Sequence, residues 1–316
     1  MTDNTVNNFR IGVDVGGTKI EAALVDATGA VLNSARIPAR HGNAAVVEDI
    51  VSVARQAAGT RFDEVSAIGI GTPGTVDSAT GHVGNIVNLD VVSLDMGPEV
   101  SRLAGVPVHV ENDVNAAALG EAFHGAAQGA RHSLMVSYGT GVGGACILNG
   151  QLYRGMASAG EFGGMLVHPE DLQADDRGSG SYERYASTTA LVRMARELDP
   201  TLTDGRAIFA RLAEPAVSQL VDRWCGEVAL GLVGLIHAFA PERVILGGGV
   251  MEAPQGPAPG GGSGASPAEV QLLGLPSGRC SAGQPGQHDW HGLYRPTKPE
   301  LSNQRRPSLP GRPSLI

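Results

Sequence analysis

IGVDVGGTKIEAALVD, residues 11–26, decides how the rest of the chain is read. It holds a glycine pair, a threonine and a lysine, the residue types of a phosphate loop. The spacing fits neither G-x-x-x-x-G-K-[ST] nor G-x-G-x-x-G, and both of those feed a helix. After Lys19, residues Ile20, Ala22 and Leu24 alternate with their neighbours at the period of a strand. Gly16-Gly17-Thr18 is therefore a turn between two antiparallel strands, with Asp14 near the end of the first. Backbone N–H groups in such a turn can reach phosphate oxygens with no Cβ in the way. The alternative reading is a plain hairpin turn.

Further along, residues 10–37 read as three short strands and residues 44–58 as a helix. Residues 65–70 read as a buried strand stopped by Thr72-Pro73-Gly74. VPVHVENDVNAAALGEAFHG, residues 106–125, reads as a strand and then a helix, with Asn112 or Asp113 as its cap. SLMVSYGTGVGGACILNGQL, residues 133–152, then repeats the opening pattern of strand, Gly/Thr turn and strand. Helices are predicted over 183–198 and 215–239, and a last strand in RVILGGGV, residues 243–250. Two halves, each opening on a glycine turn, suit a clamp around one polyphosphate.

The chain has 316 residues, with 45 glycines and a formal net charge of −9. That acidity argues against a nucleic-acid partner gripped by a basic face. Cys146, Cys225 and Cys280 have no ligand spacing and fit a reduced, cytoplasmic protein. The first ten residues carry no apolar signal region. The longest apolar run, 228–240, is broken by His237 and is too short for a membrane span. Eleven of the 19 prolines fall in residues 253–316, where no apolar periodicity returns, so that segment reads as an irregular tail.

Several side chains suit phosphoryl transfer. Gly16, Gly17, Thr18 and Lys19 could hold phosphate from one side, and the turn at Gly139, Thr140 and Gly141 from the other. Asp14 could hold Mg²⁺ through water. At the strand-to-helix junction Glu111-Asn112-Asp113, one residue could cap the helix while its neighbour faces a cleft and takes a hydroxyl proton. Glu161 lies among small residues that let a ligand come close. His124, His168 and His237 have no partners at metal spacing and read as structural or surface residues.

Together these segments resemble the ROK family of sugar kinases and repressors. The matching stretches are DVGGTKIEAALVD, GIGTPGTVD, NIVNLD, VENDVNAAALGEA, GTGVGGACILNGQL, AGEFGGM, ERYAS and VILGGGVM, in that order across residues 11–252. The resemblance implies an α/β fold of the actin/hexokinase type, two ribonuclease-H-like domains with a cleft between them. Its expected bounds are 1–118 and 119–252, followed by the tail 253–316. It implies ATP with Mg²⁺ as cofactors and a hexose as substrate. Asp14 to Lys19 would form the first phosphate loop, Thr140 and Gly141 the second, and Gly247, Gly248 and Gly249 would lie near the adenosine. Asp113 would be the general base. Asn88, Asn112, Glu161 and Glu183 would bind the other hydroxyls. No nucleic acid or membrane partner is implied for the kinase branch, and homodimers are common among such proteins.

The sequence departs from the family pattern twice. Zinc-bearing members carry a His in GEFGH and three Cys in C-x-C-G-x-x-G-C-L-E; here those positions are Gly164, Ala174, Asp176 and Ser181, so no structural zinc is expected. This resembles a zinc-free branch that includes β-glucoside kinases. The family's C-terminal helices and strand are not legible after Ala253, where the composition resembles a GC-rich gene read in a shifted frame. The leading expectation is a hexose 6-kinase. The alternatives are a β-glucoside or N-acylhexosamine kinase, and, from another class, a sugar-responsive regulator or an inactive sugar-binding remnant.

Overall fold

The computed structural model describes residues 9–156 and 159–251, all within one unit that spans Met1–Cys280. The tail 253–316 lies outside the described residues. The chain opens with β1 (Phe9–Val15), β2 (Lys19–Val25) and β3 (Val31–Pro38), an antiparallel meander. Helix α1 (Asn43–Ala58) follows, then β4 (Val65–Thr72), the short pair β5 (Val76–Asp77) and β6 (His82–Val83), α2 (Met96–Ala104) and β7 (Val108–Asn112). The sheet order is β3-β2-β1-β4-β7, with β4 parallel to both β1 and β7.

The pattern then repeats. After α3 (Asp113–His124) come β8 (Ser133–Tyr138), β9 (Val142–Leu148) and β10 (Gln151–Tyr153), again antiparallel. Helices α4 (Tyr182–Ala186), α5 (Thr188–Leu198), α6 (Gly205–Ala210) and α7 (Pro215–Phe239) lead to β11 (Arg243–Gly247), which lies parallel to β8. The second sheet runs β10-β9-β8-β11. The repeated meander read from the two glycine turns is thus present in both sheets.

Each sheet is fixed by its alternation. Ile11, Val13 and Val15 of β1 point to the same side as Ile20, Ala22 and Leu24 of β2, and both sets are buried with Val46, Val47, Ile50 and Val53 of α1. Each large apolar side chain buried this way contributes about 1.5–3 kcal/mol. One side of the second sheet is packed by Leu220, Val221, Trp224 and Val228 of α7; its other side receives α3 through Ala118, against Met135, Ala145 and Ile147. Helix α3 contacts strands of both sheets.

Two expectations need correction. The helix predicted over 183–198 is two helices, because Ser187 is extended (φ −67°, ψ 160°) and its Oγ accepts the N–H of Ala190 at 3.1 Å as the cap of α5. That break frees the Thr188 N–H to bond the carbonyl of Gly139 at 3.0 Å. The short helices α2 and α6 were not read at all, since nine and six residues carry too little periodicity to stand out.

Candidate active site

The first loop is a tight hairpin, closed by the Gly16 N–H donating to the Lys19 carbonyl at 2.9 Å. Neither glycine has a positive φ; they are needed for close approach. A Cβ on Gly16 would lie 3.0 Å from the Lys19 carbonyl oxygen, and one on Gly17 3.2 Å from Asn88 Cβ. Asn88, on the single 3-10 turn Val87–Leu89, is therefore held against this loop. The Thr18 carbonyl accepts the N–H of Ala39 at 3.1 Å, leaving its exposed side chain open. Lys19 is turned along its own strand, with Nζ 3.0 Å from Glu21 Oε1, and Arg36 pairs with the same carboxylate.

Asp14 stands on the face of the first sheet opposite α1. The register sets Ser34, Ala23, Gly12, Gly69 and His109 in one row across that face, with Arg36, Glu21, Asp14, Gly71 and Glu111 in the next. The first row is mostly small, and a Cβ on Gly12 or Gly69 would meet nothing within 4 Å. The result is a cavity of about 1100 Å³ shared by Asp14 and Asp113. The Asp14 carboxylate is open to solvent but lies in this concavity. Loss of hydration there raises its pKa, the charges of Asp113 and Glu21 raise it further, and Lys19 opposes them. Asp14 alone could hold Mg²⁺ here, through water and with phosphate oxygens as the other ligands, because Mg²⁺ needs few carboxylates.

The junction of β7 and α3 divides its labour. Asn112 is the cap, its Oδ1 accepting the N–H groups of Val114 at 3.0 Å and Asn115 at 3.2 Å. Asp113, the first helical residue, accepts only the Val114 N–H, at 2.9 Å through Oδ1. Asp113 lines the cavity. Of the two candidates for the cap, Asn112 takes that role.

The second loop is braced from beneath by the α4–α5 junction. Gly139 N–H donates to the Gly141 carbonyl at 2.9 Å, and Thr189 Oγ1 donates to the Thr140 carbonyl at 2.8 Å. Glu183 Oε2 accepts the Val142 N–H at 3.0 Å, and any Cβ on Gly141 would collide with this carboxylate. Glu183 thus supports the loop through one oxygen. A cavity of about 1230 Å³ runs from Gly139 and Thr140 along α5 to α6 and reaches Gly249 and Val250. Gly248, at φ +99°, lies so close to the Tyr138 carbonyl that no side chain fits. Gly247 packs under Met135. Gly249 is thus the glycine of the triplet that lines the cavity. The second loop lines this cavity through Gly139 and Thr140, while Gly16–Lys19 lines neither cavity and only the adjacent Asp14 reaches the other one; no hydrogen bond joins the two loops among the described residues.

Glu161 is exposed and begins the turn Phe162–Gly164. The Phe162 ring lies on Gly144 of β9, while Val114 of α3 lies on Gly143, so the neighbours of Glu161 and Asp113 meet consecutive residues of one strand. Gly163 packs against Glu183, 3.2 Å from its Cβ if given a side chain. Where zinc-bearing proteins of this pattern place ligands, hydrogen bonds hold the loop. Ser179 Oγ accepts from Gln173 N at 2.8 Å and donates to the Asp176 carbonyl at 2.6 Å, and Ser181 Oγ donates to the Gly178 carbonyl at 2.7 Å. No group of three His, Cys, Asp or Glu suited to a metal occurs among the described residues. The sequence reading missed Thr188, Thr189 and Arg206, which also line the second cavity. The Ser-Thr-Thr run at 187–189 was the available signal, as a helix-start pattern.

The sequence profile of the ROK family matches residues 10–259. The chain belongs to the ROK family. The glucokinase of Streptomyces coelicolor is 35% identical over 266 residues, covering 77% of this chain and 82% of that protein. Among solved structures, the ROK glucokinase of Streptomyces griseus in complex with glucose and AMPPNP superposes with a TM-score of 0.68 at 33% identity, over 77% of this chain and 84% of that one. The ROK hexokinase of Thermus thermophilus gives a TM-score of 0.67 at 34% identity, over 78% and 84%. The architecture is therefore the actin/hexokinase-type α/β fold of these kinases.

Proposed function

We propose that this ROK protein is an ATP-dependent hexose kinase that phosphorylates a glucose-like sugar, at O6, with Asp113 as general base. The observation that carries the reading is the β7–α3 junction. Asn112 caps both the Val114 and Asn115 N–H groups, Asp113 shares only the first of these through one oxygen, and its carboxylate lines the cavity it shares with Asp14. The similarity to glucokinases of 35% and 33% identity supports the reaction class.

ATP with Mg²⁺ would supply an activated terminal phosphoryl group. Asp14 would hold the cation. The N–H groups of Gly16–Thr18 and of Thr140–Gly141 would bind phosphate oxygens, with Gly249 beside the nucleoside. Asn88, Asn112, Glu161 and Glu183 would accept or donate to sugar hydroxyls. Asp113 would take the proton from the attacking hydroxyl, so that the sugar oxygen bonds phosphorus as the bridging oxygen leaves with the diphosphate. We place the two halves that carry these loops at 1–118 and 119–252.

Asp113→Asn tests the assignment. The amide is nearly isosteric but cannot accept the proton, so kcat should fall by about 10²–10⁴-fold. Sugar binding, measured by calorimetry, should persist. A variant keeping more than roughly a third of the activity, far above what loss of a base allows, removes Asp113 from the mechanism.

A further inference from the structure

We propose that Arg154 is a positioning residue whose ion pair with Glu111 fixes the two sugar-facing carboxylates, Asp113 and Glu161, relative to one another. The proposal rests on the kinase reading above for what those carboxylates bind.

Glu111 uses both of its oxygens. Oε1 accepts the Asn112 N–H at 3.0 Å and the Asn115 Nδ2 at 3.0 Å. Oε2 accepts Arg154 Nε at 2.9 Å and a terminal guanidinium nitrogen at 2.5 Å. One oxygen therefore braces the first turn of α3, on either side of Asp113. The other reaches the segment that follows β10 in the second sheet.

Arg154 passes the constraint on. Its carbonyl accepts the N–H of Ala159, two residues before Glu161, at 3.1 Å. Gly160, at φ +105°, then presses on the Gly144 carbonyl so tightly that only glycine fits. Arg154 thus holds Ala159, and Gly160 holds the position just before Glu161. The Glu111 side chain is only 14% exposed, while the Arg154 side chain is 45% exposed, so the carboxylate end of the pair is sheltered and the guanidinium end meets water. Charge-assisted bonds are short and about twice as strong as neutral ones, and the planar guanidinium offers two donors to one oxygen where a lysine offers a point charge. Removing the arginine leaves a half-buried carboxylate without its counter-charge.

The test uses the full chain with Arg154→Met, Arg154→Lys and Glu111→Gln. Hydrogen exchange is the first readout. In Arg154→Met, amides of Val114, Asn115 and Phe162–Gly164 should exchange faster, while those of α7 keep their protection. Kinetics is the second. The sugar KM should rise by roughly tenfold or more, the scale of one lost charged hydrogen bond. The KM for ATP should hold, and Arg154→Lys should recover part of the loss. The double variant Glu111→Gln/Arg154→Met should do no more damage than the worse single variant. Unchanged exchange at both segments would overturn the proposal, as would a parallel loss of sugar and ATP affinity. A wild-type chain that turns over no sugar would count against the kinase reading, and the exchange data would still decide the ion pair.

Discussion

His168 shows how much a single residue can hold in this chain. Its Nε2 lies 2.8 Å from Glu227 of α7 and its Nδ1 2.9 Å from Glu170, while its ring packs against Tyr185 of α4, tilted 46° with 4.2 Å between centroids. The Tyr185 hydroxyl in turn bonds Asp171. The bond to Glu227, and then that to Glu170, raise the His168 pKa above its ordinary 6.5. A raised pKa means that the folded state holds the proton more tightly than the unfolded chain. The stabilisation is complete below about pH 6.5, the unfolded value, and is lost as pH rises through the higher folded value. The melting temperature of the wild type should therefore exceed that of His168→Gln most clearly in mild acid, and the gap should close at alkaline pH. A gap that stays constant with pH would show that packing on Tyr185, and not charge, is what His168 supplies. The sequence placed His168 among structural or surface residues from the lack of metal spacing, but its partners were invisible: Glu227 is 59 positions away. Arg154 escaped notice for the same reason, its partner lying 43 positions back. By contrast Asn112 and Asp113 were legible, because a helix cap is a local rule.

At the scale of an element, α7 illustrates what periodicity reveals and what it hides. Its 25 residues were legible at the bounds read from the sequence, since a long apolar stripe needs no tertiary help to be seen. What could not be read is why Gly231 stands in the middle of it. A Cβ there would drive into the ring of Tyr182, whose hydroxyl is locked to Tyr138 at 2.7 Å and to the Val228 carbonyl at 2.6 Å. Gly234, one turn on, has open space beside it. The two glycines should respond oppositely to alanine. Gly234→Ala should gain up to about 1 kcal/mol from helix propensity. Gly231→Ala should lose that gain and more, since overpacking typically costs about 1–3 kcal/mol. Urea unfolding of both variants checks this, and equal shifts of the midpoint would contradict it. The break between α4 and α5 has a similar origin: Ser187 reads as an ordinary helical residue until the Gly139 loop, far back in the chain, claims the next N–H.

For the whole molecule, the two meanders were legible because residues 11–26 alternate strongly around a glycine turn, and residues 133–152 repeat the strand, Gly/Thr turn and strand although β8 and β9 are buried almost throughout. Which strands pair in parallel, and that α3 serves both sheets, emerge only from long-range packing. Metal content is a whole-chain property too. With hydrogen bonds of Ser179 and Ser181 holding the 172–181 loop, elemental analysis of the purified protein should give well under one zinc per chain, because a structural site needs thiolate or imidazole ligands at set spacing. Chelation should stop turnover only until excess Mg²⁺ is restored. One tightly held zinc per chain would contradict this.

The central claim, that the Asp14–Asp113 cavity and the Thr140–Gly249 cavity together serve phosphoryl transfer to a sugar, meets its most direct test in ADP release. The wild type and Asp113→Asn would be assayed in parallel by a coupled reaction with ATP, Mg²⁺ and a panel of glucose, N-acetylmannosamine, fructose and a β-glucoside. The account predicts ADP release that depends on at least one of these sugars, fastest with a glucose-like one. In the variant it should be at least about 10²-fold slower, the low end of a general base's contribution. Release that no sugar stimulates, or that survives the substitution, would contradict it.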